Sequence, residues 1–163
     1  MKINIRIISN LSLALLLSLN FSCKKDNDPP TTSPTPNNNC NYTSNVLAVD
    51  ATTKSILSDS CRVFGDKYYT EHFADAGRTE AVTIIFDGTS APSPGNYTAV
   101  NSFAAISSSQ VYVEYYTAAD AFQPASGTVT VADSGTSKIY SFCNLTCTNG
   151  TATKTISLRN VCN

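Results

Sequence analysis

Apolar and polar positions alternate with a period of two over most of the chain beyond residue 40. Val82, Ile84 and Phe86 interleave with Thr83, Ile85 and Asp87; Val111, Val113 and Tyr115 interleave with Tyr112, Glu114 and Tyr116. Thr128, Thr130 and Asp133 flank the run VTV at 129–131. This period is that of a β-strand with one face inward. Strands are expected near 45–50, 61–73, 80–87, 96–105 and 109–117. Turn signals separate the runs: Asp87-Gly88, Ala91-Pro92-Ser93-Pro94-Gly95, Ser126-Gly127, Ser134-Gly135 and Asn149-Gly150. Asn-Gly favours the positive φ angles of a two-residue type I′ turn. It predicts a hairpin of 139–148 with 151–159, Thr148 opposite Thr151 and Cys143 opposite Ile156. Ile139, Cys143, Leu145, Cys147, Ile156 and Leu158 would then point inward. The only helical candidates are short, at 118–123 and 71–77. Residues 40–163 therefore read as a single all-β domain, an antiparallel β-sandwich or small β-barrel with few or no helices.

The first 39 residues follow other patterns. Lys2 and Arg6 precede the apolar run Leu11–Leu19, which is too short to span a bilayer, and Ser22-Cys23 follows. Residues 1–22 are expected to be a secretory signal peptide. Residues 23–39 contain the Pro/Thr/Asn-rich stretch NDPPTTSPTPNNN, which cannot bury a core and reads as a tether. The Ser22-Cys23 junction resembles the lipobox of bacterial lipoproteins. It departs from that pattern in carrying Asn20 where Leu is preferred, with Leu19 one position earlier. The resemblance implies lipidation of Cys23 and a membrane anchor through acyl chains; ordinary secretory cleavage after Ser22 is the alternative.

Lys24-Lys25-Asp26-Asn27-Asp28 resembles the export signal of surface lipoproteins in the Bacteroidota. Together with Pro94-Gly95-Asn96-Tyr97 and Ser126-Gly127-Thr128-Val129-Thr130-Val131, it makes the chain resemble the small β-rich surface lipoproteins of that group. The resemblance implies an outer-membrane, cell-surface location and brings no catalytic residues to transfer. The alternative for the charged run is a solvated linker.

Charge narrows the partners. The chain carries a formal net charge of −1 and 14% charged residues, with no basic cluster outside the tether, so nothing points to nucleic acid. Six cysteines are present. With Cys23 lipidated, Cys40, Cys61, Cys143, Cys147 and Cys162 remain for disulfides, which permits at most two bridges and one unpaired thiol. Cys143 and Cys147 would lie roughly 13 Å apart on a regular strand and cannot pair with each other. Cys40–Cys162 is one possible bridge; spacing does not decide the connectivity. The spacing matches no zinc or redox motif, and no cofactor is expected.

His72 is the single histidine. A hydrolase would need it beside Asp66, Glu71 or Asp75, but strand neighbours point to opposite faces. No Gly-x-Ser-x-Gly elbow is present and the carboxylates are scattered. A different constellation suggests binding. Tyr112, Glu114 and Tyr116 share one strand face, continued by Ser108 and Gln110, and Tyr69, Glu71 and Phe73 form a similar stripe. Aromatic rings beside a carboxylate suit stacking on sugars with hydrogen bonds to their hydroxyls; the same stripes could equally pack inward. The expected function is a non-enzymatic surface binding or adhesion module for glycan or protein. The alternatives are an accessory subunit of an outer-membrane complex and, third, a hydrolase.

Overall fold

The computed structural model describes residues 42–162; the expected signal peptide, Cys23, the expected tether and Cys40 lie outside them. All described residues belong to one compact unit. They form eleven strands and no helix: β1 Val46–Val49, β2 Thr52–Ser55, β3 Ser58–Phe64, β4 Lys67–Phe73, β5 Ala81–Asp87, β6 Gly95–Val100, β7 Gln110–Tyr116, β8 Ala121–Pro124, β9 Thr128–Ser134, β10 Ser137–Thr148 and β11 Thr153–Cys162. The fold is all-β. One sheet runs β2-β1-β11-β10-β9-β6-β7-β5-β4-β3, and β8 bridges β10 and β7. Every pairing among the described strands is antiparallel except β6–β7, which is parallel. The sheet encloses one apolar core, in which Leu47, Val82, Ile84, Phe86, Val113 and Leu158 are fully or almost fully buried.

Local chemistry explains where the elements depart from the expected ones. The run 61–73 is not one strand but the β3–β4 hairpin: Phe64 pairs with Lys67 across Gly65-Asp66, and Gly65 supplies a φ of 64°. The segment 71–77 finishes β4 and then turns. Asp75 accepts the backbone N–H of Thr79 at 2.9 Å and of Glu80 at 2.8 Å, and these bonds hold its carboxyl below the usual range. The segment 118–123 is a turn capped by the Thr117 hydroxyl and then β8. The expected strand at 96–105 stops at Val100, and a loop follows to residue 109.

The last hairpin is present, but its register differs. Thr148 lies opposite Thr153, not Thr151. The Asn149 side chain accepts the N–H groups of Thr151 and Ala152, so a four-residue Asx-type loop replaces the two-residue turn. A bulge then separates the Phe142↔Leu158 and Leu145↔Ile156 pairs, with Asn144 at a φ of 53°. The extra residue reverses the alternation. Tyr140 and Phe142 point inward before it, Leu145 and Cys147 after it, and Ile139 and Cys143 are only half-buried. Ser157 Oγ accepts the Asn144 N–H at 2.8 Å, satisfying the displaced amide.

The ladder does not join β11 to β3; side chains do. Cys61 and Cys162 form a disulfide, so Cys162 does not pair with Cys40. Cys143 is disulfide-bonded as well. Cys147 is a free thiol, buried, with its pKa pushed up to about 12 by that burial. Beside the Cys61–Cys162 bridge, Asn160 Nδ2 donates to Asp59 Oδ2 and to His72 Nδ1, both at 2.9 Å. The carboxylate can only accept, which fixes the amide's orientation. The His72 proton therefore sits on Nε2 and is donated to Thr70 Oγ1 at 3.0 Å.

His72 is completely buried, and desolvation lowers its pKa from 6.5 to about 3. The folded state thus excludes a proton that the unfolded chain accepts. Stability from this group is complete above pH 6.5 and is lost as pH falls towards 3. Urea unfolding is expected to show a loss of about 2–3 kcal/mol between about pH 6.5 and 4.5, near 1.4 kcal/mol per unit. The lowered carboxyls of Asp50 and Asp75 act only below about pH 4, outside that window. In His72→Gln the slope should largely vanish; an unchanged slope would assign the acid sensitivity elsewhere.

Candidate binding face

The outer face of β4, β5 and β7 brings the two sequence stripes together. Register places Tyr69, Ile85 and Tyr112 in one row across the three strands, and Glu71, Thr83 and Glu114 in the next. Alternation requires it: Val82, Ile84, Val111 and Val113 take the core side, so their neighbours face outward. Tyr116 continues the face at the end of β7. Its phenol pKa is raised, first by burial and then by Glu71, Asp75 and Glu114.

The rings do not all remain open. The loop 101–109 lays Ile106 over the first row, and Ile85, Ile106 and Tyr112 form a second small apolar cluster with Tyr69 against it. Tyr112 keeps only 8% of its surface exposed. Its expected role as a stacking ring therefore gives way to a supporting one. Its hydroxyl donates to Glu114 Oε2 and accepts from Gln123 Nε2 at 3.4 Å. Burial, and then the Glu114 carboxylate, push the phenol up to about 12. Gln110 and Ser108, expected to extend the stripe, do not line this row. Gln110 Oε1 accepts the Ser107 N–H and hydroxyl at the root of the loop, and Ser108 belongs to the loop itself.

Two other aromatics take the exposed positions. Phe64, 70% exposed at the β3–β4 turn, meets Tyr69 edge-on at 5.9 Å. Phe103, 52% exposed in the loop, meets Tyr112 edge-on at the same distance. An apolar ridge thus runs across the strands with an open phenylalanine at each end, beside the Glu71–Thr83–Glu114 row. Both phenylalanines lie inside runs that the residue pattern assigns to continuous strand. The Gly65-Asp66 pair is a usable turn signal for Phe64; nothing local marks Phe103.

Charges around the face are paired. Arg62 bridges to Glu71 at 2.7 Å, Lys67 sits between Asp66 and Asp87, and the Arg78 guanidinium lies 4.9 Å over the Phe73 ring. The residues needed for a histidine-based hydrolase are kept apart. His72 points into the core, Glu71 outward, Asp66 lies at the turn with Lys67, and Asp75 is occupied by backbone amides. No group of three or more ligating side chains suited to a metal occurs among the described residues. A cleft of about 470 Å³ lies where β10 leaves β9, lined by residues such as Gly127, Thr130, Phe142 and Leu145, and no titratable side chain lines it. No protein-family model, curated protein or solved structure matches this chain.

Tyr112 and the two exposed phenylalanines should separate in stability measurements. Tyr112→Ala removes a buried ring and is expected to cost about 2–4 kcal/mol. Phe64→Ala and Phe103→Ala should each stay within about 1 kcal/mol of the parent. Chemical denaturation of the three variants checks this; an equal loss in Phe103→Ala would make that ring a packing residue.

Proposed function

We propose that this protein is a surface-displayed, non-enzymatic binding module whose ligand face is the outer side of β4, β5 and β7. The observation that carries the reading is the pair of open rings, Phe64 and Phe103, at the ends of a ridge that runs beside the Glu71–Thr83–Glu114 row. A contiguous apolar ridge with open ends, rimmed by polar groups, marks an interaction site. Aromatic faces next to carboxylate and hydroxyl acceptors match the two faces of a sugar, one apolar and one rich in hydroxyls. Glycan is the ligand class this combination favours. Phe64 sits on a hydrogen-bonded hairpin and Phe103 in a loop anchored through Ile106, so little ordering cost accompanies binding. A soluble glycan array with the full chain is expected to give binders whose affinity falls at least tenfold in the Phe64→Ala/Phe103→Ala variant. Binders untouched by that variant would place the site elsewhere.

A second reading, an accessory subunit held by protein contact, draws on Leu57 and Val63. Both are exposed on or beside β3, close in sequence to Phe64. Crosslinking on intact cells that captures one defined outer-membrane protein through these positions would favour it.

The display itself rests on Cys23, which lies outside the described residues. The lipobox-like junction supports lipidation there, and the charged run after it supports the outer face of the outer membrane. Two or three acyl chains suffice for stable anchoring. Cells fed labelled palmitate should label the parent and not Cys23→Ala; label retained in the variant removes the anchor from the proposal.

A further inference from the structure

We infer that the face takes hydroxyl-rich saccharides and rejects anionic ones; this rests on the glycan reading above. An acidic sugar lying beside two carboxylates needs a free cation to offset the repulsion. Among the described residues, every cationic side chain beside this face is engaged within the protein. Arg62 is held by Glu71 at 2.7 Å, and its other terminal nitrogen donates to Ser60 at 3.2 Å. Lys67 is divided between Asp66 and Asp87. Arg78 is stacked on Phe73.

The acceptors are in the opposite condition. Glu114 receives the Tyr112 hydroxyl, which uses one of the roughly four lone-pair directions of a carboxylate. Glu71 receives Arg62 from the β3 side, and Thr83 stands between the two glutamates in the register. The row therefore offers acceptors, one hydroxyl and a negative field. A ligand that satisfies it donates hydrogen bonds and carries no negative charge, as sugar hydroxyls do. Glu71 and Glu114 are two strand spacings apart, roughly 10 Å, so the row spans about two sugar units lying across the strands.

The test uses matched pairs of oligosaccharides that share a backbone and differ in charge, titrated calorimetrically into the full chain. One pair is oligogalacturonate and its methyl ester; the other is a chitosan oligosaccharide and its N-acetylated form. The methyl ester is expected to bind at least tenfold tighter than oligogalacturonate, with little dependence on salt, and the free-amine chitosan chain at least as tightly as its acetylated form. The Glu71→Gln/Glu114→Gln variant should gain affinity for oligogalacturonate by fivefold or more. If oligogalacturonate binds the parent as tightly as its ester, selection against anions is wrong while saccharide binding stands. If the free-amine chain binds more weakly than its acetylated form, the row exerts no negative field on the ligand and the inference is again wrong. If no saccharide in either pair or on the array binds, both this inference and the glycan reading fall.

Discussion

The structure depends on how β11 is fastened to β3. The hydrogen-bonded sheet is open at this point, and an open sheet around a core leaves apolar side chains to water along the gap. Here covalent and polar side-chain contacts replace the missing ladder: the Cys61–Cys162 disulfide, and Asn160 reaching Asp59 and His72. The disulfide spans 101 residues, a large loop to constrain in the unfolded chain. The polar part is more exacting. Asn160 and His72 are fully buried, and such groups destabilise unless their partners are in place. Asn160 Oδ1 has no partner among the described residues, so within them this closure retains a cost inside the core.

That closure positions the candidate binding face at a distance. β3 and β4 carry Arg62, Phe64, Tyr69 and Glu71, and they are the last strands of the sheet. With β11 holding β3 from behind, these side chains keep a fixed relation to Glu114 on β7. The loop 101–109 adds the second constraint. Ile106 covers Ile85 and Tyr112, which anchors the loop and leaves Phe103 projecting. One small apolar cluster therefore both stiffens the face and presents one of its open rings. Tyr112 supports the candidate face from beneath, through the hydroxyl it donates to Glu114.

Much of this was legible from residue pattern. The all-β class, the cores of β5 and β7, and the sharing of one face by Tyr69 with Glu71 and by Tyr112 with Glu114 follow from a period-two code. The inability of Cys143 and Cys147 to pair followed from strand rise alone, and Cys147 is a free thiol. Other features were decided by contacts far apart in sequence. The bulge at Asn144 depends on Ser157 across the hairpin and reverses every inward assignment on one side of it. The burial of Tyr112 depends on Ile106, which local pattern places in no element.

The chain alone determined which residues share a face, because alternation is a property of the extended backbone and needs no partner. It also determined which pairings were sterically impossible. Tertiary structure decided which faces stay wet, which cysteines meet, and that two aromatic stripes 43 residues apart in sequence, at Tyr69 and Tyr112, become one surface. Those outcomes depend on strand order and on loops crossing the sheet. Strand order is set by the summed burial of all eleven strands, so no single segment carries it.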